Sequence, residues 1–152
     1  MGVYVPPYNY RDHEVEFMME LPAELSSLAL VSLLTAVLWV PLILNRLVEM
    51  GPWKALKNPE PDVRPESDWA YRLASAHRNA LENLVVFAPL VLIVHVLEIS
   101  NSLTATAATV FLLSRVAHAF IYTFGIPLLR TIAFVIGFAC QIVLGLRIFG
   151  LV

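Results

Sequence analysis

Charged side chains are scarce in this chain of 152 residues. Asp, Glu, Lys and Arg together make up 14% of it, while hydrophobic residues make up 59%. A soluble domain carries about a quarter charged residues, because its surface must be solvated. The deficit therefore excludes an ordinary soluble protein and indicates an integral membrane protein, with one domain expected at this length.

Other absences exclude particular kinds of site and of function. The formal net charge is −2, so there is no basic excess for binding nucleic acid. Cys140 is the one cysteine, which excludes a disulfide or a thiolate metal cluster within the chain. The histidines show no metal-binding spacing such as HExxH, so no metal site is predicted. The first twenty residues lack a basic segment ahead of an apolar core, and no signal peptide is expected.

Long apolar runs are what the sequence has instead. A bilayer core of about 30 Å requires about 20 apolar residues in a helix. Four segments meet this requirement, at 26–48, 70–97, 103–124 and 127–149. Strands are not expected, since open sheet edges cannot be satisfied in lipid. The sequence predicts an all-α fold, an antiparallel bundle of four transmembrane helices over 25–152, with kinks at Pro41 and Pro89.

The distribution of Lys and Arg predicts the orientation of this bundle. Around the connection between the first two spans lie Arg46, Lys54, Lys57, Arg64 and Arg72. The turn at 98–102 has no Lys or Arg. We therefore expect the 49–69 loop and the 123–127 turn to face the cytoplasm, with both termini on the other side. This orientation and the compact form favour a bacterial or organellar inner membrane.

The segment 1–24 is predicted to be an extracytoplasmic arm, acidic and aromatic in composition. Tyr4, Pro6, Pro7, Tyr8 and Tyr10 favour an extended conformation. Two interpretations stay open. The arm is either an interfacial tail with aromatic anchors, or a strap that docks on a neighbouring subunit or another membrane protein.

Polar residues of all four spans are predicted to share one membrane depth, because alternate helices begin and end at the cytoplasmic side. They are Asn45, Arg46, His77, Arg78, Asn79, Glu82, Arg115, His118, Tyr122, Arg130 and Thr131. Each ionisable group inside a span costs about 2.5–3.5 kcal/mol on insertion scales, so a cluster implies partners, water or a ligand. A purely structural alternative pairs Glu82 with Arg78 on the helix surface or with Arg115 across helices.

The chemistry of this cluster suits an anionic ligand that carries one ammonium group. Guanidinium groups bind carboxylates through two parallel hydrogen bonds, and Glu82 would hold an amine. Glutathione fits, since it has two carboxylates, one ammonium and a thiol. An arginine beside that thiol would lower its pKa and raise the thiolate fraction.

Two motifs carry a resemblance to a known family. AHRNALEN at 76–83 and RVAHAFIY at 115–122, followed by Arg130, resemble the MAPEG family of membrane-associated proteins in eicosanoid and glutathione metabolism. The resemblance covers roughly 28–146. It implies a four-helix bundle that assembles as a homotrimer, with glutathione between neighbouring subunits near the cytoplasmic side.

The resemblance also implies roles for particular residues. The positions that match glutathione-binding residues are Arg72, Arg78, Asn79, Glu82, His118 and Tyr122. Arg130 matches the arginine that stabilises the thiolate, and Thr131 stands where some members have a serine. We predict that Arg130, Thr131 and Tyr122 are catalytic. Asn45 and Arg46 lie where a cation of the first helix is expected.

Two departures weaken the resemblance, and one packing feature supports the trimer that it implies. Ser75 and Phe134 replace an arginine and a tyrosine of some members, which removes a cation and a phenol. Gly137, Gln141 and Gly145 form a stripe that fits close helix packing in a trimer.

Two main hypotheses follow. The first is a glutathione-dependent transferase or peroxidase that acts on lipophilic electrophiles from the bilayer. The alternative is a non-catalytic scaffold or accessory subunit of a larger membrane complex. A weaker third idea is that the same pocket binds a small anion or a lipid.

Overall fold

The computed structural model describes residues 21–58 and 64–152, and the interpretations of the arm that concern 1–20 lie outside these residues. Every element in the described parts is a helix. They are α1 (Ala23–Leu38), α2 (Val40–Met50), α3 (Pro52–Ala55), α4 (Asp68–Val96), α5 (Ser102–Phe124) and α6 (Pro127–Ile148). Four helical stretches are long and apolar enough to cross a membrane: Ala23–Met50, Asp68–Val96, Ser102–Phe124 and Pro127–Ile148. The predicted all-α, four-span architecture is confirmed.

Proline affects the first and second spans differently. The first span is divided at Trp39, where α1 ends and α2 begins, with Pro41 in the first turn of α2. Pro has no backbone N–H and its ring clashes with the preceding turn, so a helix breaks readily beside it. By contrast, α4 continues through Pro89 to Val96.

The connections explain why the spans lie antiparallel. Gly125 ends α5 in the left-handed region, at φ 75° and ψ 37°, where a residue without Cβ is favoured. Pro127 then opens α6 after Ile126 alone. At the opposite end, Asn101 and Thr104 form a reciprocal cap at the start of α5. These tight turns hold α4, α5 and α6 side by side.

The hydrophobic core occupies the half of the bundle nearer the 97–101 turn, which we call the apolar half. Its largest fully buried side chains are Val31, Phe87, Val91, Val94, Phe111 and Leu144. The rings of Phe87 and Phe111 stack with centroids 3.9 Å apart. The other half, nearer the 51–67 connection, contains the buried side chains of Arg115 and His118 and is called the polar half.

The outward faces of the helices are apolar. Large hydrophobic side chains such as Leu33, Val85, Leu113 and Leu128 are exposed along the spans. In water this would be an extensive apolar surface, whereas lipid tails solvate it. The chain is therefore an integral, multi-pass membrane protein.

Candidate functional site

A cavity of about 170 Å³ lies in the polar half, where α4 and α6 have just begun and α5 is ending. We call it the polar cavity. Its lining residues are Asn79, His118, Tyr122, Arg130, Thr131 and Phe134. The first five of these were singled out from the sequence. Antiparallel packing brings them together because they lie at matching heights on three neighbouring helices.

Arg130 is the cation of this cavity. Its guanidinium carbon lies 4.5 Å from the centroid of the Tyr122 ring. Tyr122 in turn meets the His118 ring edge-on, with centroids 5.5 Å apart. In the part of the chain that the structure describes, the one ion pair joins Arg64 and Asp68, so no carboxylate there neutralises Arg130. A guanidinium held on an aromatic face keeps its charge and its donors for an anionic ligand.

A second cavity, of about 270 Å³, adjoins the polar cavity and shares Tyr122 and Arg130 with it. Arg72 lines this second cavity and reaches across from α4, where its Nε donates to the Thr123 carbonyl at 2.9 Å. Gly125 permits this approach, because a Cβ there would lie 3.3 Å from Arg72 Nε. The end of α5 thus positions a second guanidinium beside Arg130.

Arg78 and Glu82 lie outside both cavities. Both residues are exposed on α4 in the single chain. Neither of the ion pairs considered from the sequence forms among the described residues, so Glu82 pairs with neither Arg78 nor Arg115. Arg115 is buried whereas Glu82 is exposed, which is why the pair across helices does not form in the single chain.

Asn45 and Arg46 line a separate cleft of about 280 Å³ between α2 and the segment that leads into α4. Arg46 Nε is buried there and has no hydrogen-bond partner among the described residues. Asn45 Oδ1 accepts a hydrogen bond from Ser67 Oγ at 3.1 Å. A single chain therefore does not bring these two residues to the polar cavity.

Glu49 accepts the hydrogen bonds that hold this cleft together, and no pattern in the sequence predicts that role. One carboxylate oxygen accepts from Ser67 Oγ at 2.6 Å and from the Ser67 N–H at 2.9 Å. The other accepts from the Glu66 N–H at 3.2 Å. Glu49 thus binds the backbone N–H groups just before α4, a stabilising place for a negative charge. Glu49 and Ser67 are 18 residues apart in the sequence, which is why no local motif predicts the contact.

Arg115 is buried in the bundle, an orientation that the sequence did not predict. It is 2% exposed and lies behind Asn79. Its Nη1 donates to Asn79 Oδ1 at 3.3 Å, and its Nη2 donates to the Ala133 carbonyl at 3.1 Å. The sequence placed Arg115 at the right depth, but only helix rotation decides that it points into the bundle.

The stripe on α6 packs inside the chain rather than only outside it. Gly137 is buried against Ser114 and Arg115 of α5. The Gln141 side chain donates to the Asn83 carbonyl at 3.0 Å. Gly137 and Gln141 were expected at a contact between subunits. In the single chain they make contacts between its own helices. A Cβ added at Gly145 would meet nothing within 4 Å.

Fold and site together define a class, namely a four-span helical membrane protein with a cationic, aromatic-lined cavity near one end of its bundle. The family model of the MAPEG family matches residues 25–150, and the chain belongs to that family. The resemblance drawn from the two motifs is thereby confirmed. A search of curated proteins returns no significant match. Membership supports a membrane role related to glutathione, of the transferase or peroxidase kind or a related one.

Proposed function

We propose that this protein is a membrane glutathione-dependent transferase or peroxidase that acts on lipophilic electrophiles. The observation that carries the proposal is the setting of Arg130. Its guanidinium lies over Tyr122 in a cavity shared with Asn79, His118 and Thr131, with no carboxylate pairing it in the described chain. This is the arrangement needed to attract an anionic ligand and to stabilise a thiolate.

The proposed chemistry begins with the thiol of glutathione beside Arg130. The positive charge lowers the pKa of that thiol, whose proton passes to water. The thiolate sulfur then bonds to the electrophilic carbon; on an aryl halide the carbon–halogen bond breaks and halide ion leaves. Tyr122 or Thr131 would donate a hydrogen bond to the developing charge. The Thr131 hydroxyl donates to the Pro127 carbonyl at 3.3 Å, whereas the Tyr122 hydroxyl donates to no protein acceptor among the described residues, so Tyr122 is the donor that needs no exchange of partner.

The remaining predicted residues would hold the tripeptide. Asn79, His118 and Arg72 adjoin Arg130 within one chain. Arg78 and Glu82 are exposed, while Asn45 and Arg46 line another cleft. We propose that a homotrimer unites these groups, because residues on separate surfaces of one chain meet when copies pack side by side. The Lys and Arg distribution supports a site at the cytoplasmic side with both termini outside, and this orientation with the compact form favours a bacterial inner membrane.

Isothermal titration with glutathione in lipid nanodiscs, combined with turnover of a lipophilic aryl halide, tests this proposal. Wild type should bind the tripeptide and conjugate the halide. Arg130→Ala should lose most turnover, whereas Lys54→Ala, which removes an exposed positive charge outside both cavities, should behave as wild type. Absence of binding at millimolar glutathione, or full turnover in Arg130→Ala, would refute it.

A second candidate is a non-catalytic accessory subunit. Two observations favour it. Phe134 lines the polar cavity where a phenol would add a donor. The Ser75 hydroxyl donates to the Tyr71 carbonyl of its own helix at 3.2 Å and so does not replace a cation. Glutathione binding without turnover, together with loss of a co-purifying membrane protein on deletion of 1–20, would support this alternative.

A further inference from the structure

The guanidinium of Arg115 lies behind the wall of the polar cavity and has no role in the function proposed above. It is almost fully buried, and the ion pair of the described chain does not involve it. A buried charge of this kind is tolerated only where its donors find acceptors. Here the acceptors are Asn79 Oδ1, the Ala133 carbonyl and, at 3.5 Å, Ser114 Oγ. The rings of Phe111 and Phe134 lie 5.4 and 5.9 Å from the guanidinium carbon.

Of the residues that accept hydrogen bonds from Arg115, Asn79 is the one that lines the polar cavity. Asn79 Oδ1 accepts from Arg115 Nη1 and from Asn83 Nδ2, each at 3.3 Å. Only the oxygen of a carboxamide accepts, so two donors on one side decide which way the amide is turned. Within the described residues, Asn79 Nδ2 donates to no protein acceptor. The amide nitrogen of a cavity-lining residue is therefore the donor that remains for a ligand.

Gly137 makes this geometry possible. A Cβ at Gly137 would lie 2.5 Å from Arg115 Nη2 and 2.9 Å from Ser114 Oγ, both closer than real contacts allow. Any side chain there would displace the guanidinium from the Ala133 carbonyl and from Asn79. Gly145 lies two turns further along the same helix, and a Cβ there would meet nothing. The chain thus offers a matched pair of glycines.

We propose that Arg115 is a positioning residue, whose buried guanidinium turns the Asn79 carboxamide so that Nδ2 donates to an acceptor on bound glutathione. The inference rests on the proposed function. Arg115 acts through Asn79 and touches no ligand itself. It therefore sets the affinity for the tripeptide, while thiolate formation depends on Arg130.

A double-mutant cycle measured by calorimetry separates this role from a purely structural one. Arg115→Lys and Asn79→Ala should each raise the Kd for glutathione about fivefold, the effect of one lost hydrogen bond. The double variant should bind no more weakly than Asn79→Ala alone, because Arg115 acts through that residue. The thiolate fraction of bound glutathione should not change in Arg115→Lys. Additive losses in the double variant would overturn the proposal.

The glycine pair provides a second test that leaves Arg115 in place. In the chain that retains Asn79, Gly137→Ala should weaken glutathione binding about fivefold. In the Asn79→Ala variant, the same substitution should not weaken binding further. Gly145→Ala should leave the Kd unchanged in both. Equal effects of the two glycine substitutions would contradict the proposed path from Gly137 through Arg115 to Asn79.

A ligand-free measurement keeps the inference testable if glutathione does not bind and the proposed function fails. The side-chain amide resonances of Asn79, assigned by their loss in Asn79→Ala, report the hydrogen bonding and surroundings of the carboxamide. Arg115→Lys and Gly137→Ala should shift them, and Gly145→Ala should not. Unshifted resonances in Arg115→Lys would overturn the inference whether or not glutathione binds.

Discussion

The two halves of the bundle bury their side chains by different means. In the apolar half, Phe87 stacks on Phe111 and the aliphatic side chains around them need only volume and shape to pack. In the polar half, Arg115 and Asn79 are held by hydrogen bonds with defined directions. Packing contacts tolerate small rearrangements, whereas buried polar groups lose their partners when a helix rotates. The comparison indicates that stability depends most on the first half and ligand binding on the second.

The strongest test of this division removes one of the two stacked rings of the apolar half. Phe87→Ala should lower the free energy of unfolding by about 3–5 kcal/mol, because it leaves a void beside Phe111. It should leave the Kd for glutathione near the wild-type value. Unfolding in mixed detergent micelles measures the first quantity and calorimetry the second. Phe124→Ala, which truncates an exposed ring, is the control. A parallel loss of affinity in Phe87→Ala would show that ligand binding depends on the apolar half as well.

A substitution in the polar half should show the reverse pattern. Arg72→Gln removes a guanidinium that lines the cavity shared with Arg130 and that donates to the Thr123 carbonyl. We expect the Kd for glutathione to rise about tenfold, since hydrogen bonds to charged groups contribute about 1.5–3 kcal/mol. The free energy of unfolding should fall by less than in Phe87→Ala. Lys54→Gln, at an exposed residue outside both cavities, should leave the Kd unchanged.

The boundary between the halves should give the smallest effect. Gln141 connects α6 to α4 through the Asn83 carbonyl, and Asn83 in turn donates to Asn79. Gln141→Leu should reduce the free energy of unfolding by about 0.6 kcal/mol, the average for a hydrogen bond between membrane helices. The Kd should change less than twofold. A change as large as that of Arg72→Gln would mean that the polar half extends further toward Phe87 than its hydrogen bonds indicate.

Much of this architecture could be predicted from hydropathy and turn residues. Apolar runs determine four helices, and Gly125 with Pro127 determines where the last two meet. Antiparallel order then assigns a depth to each polar residue, which is why Asn79, His118 and Arg130 were correctly grouped.

Helix rotation was the part that the sequence could not determine. The depth of a residue in the membrane does not determine whether its side chain points inward, as that of Arg115 does, or outward, as that of Glu82 does. Asn45 and Arg46 share that depth yet line a different cleft, because α2 packs beside the start of α4. No local motif predicts the role of Glu49, since its partners Glu66 and Ser67 lie 17 and 18 residues further along the chain.

We expect the charge of Arg130 to stabilise a glutathione thiolate, and ultraviolet difference absorbance of the bound tripeptide measures the thiolate itself. Wild type in nanodiscs should develop thiolate absorbance on adding glutathione, and Lys54→Ala should match it. Arg130→Ala should bind glutathione with little thiolate signal, because the cation beside the thiol is gone. Undiminished thiolate absorbance in Arg130→Ala would show that Arg130 does not stabilise the thiolate.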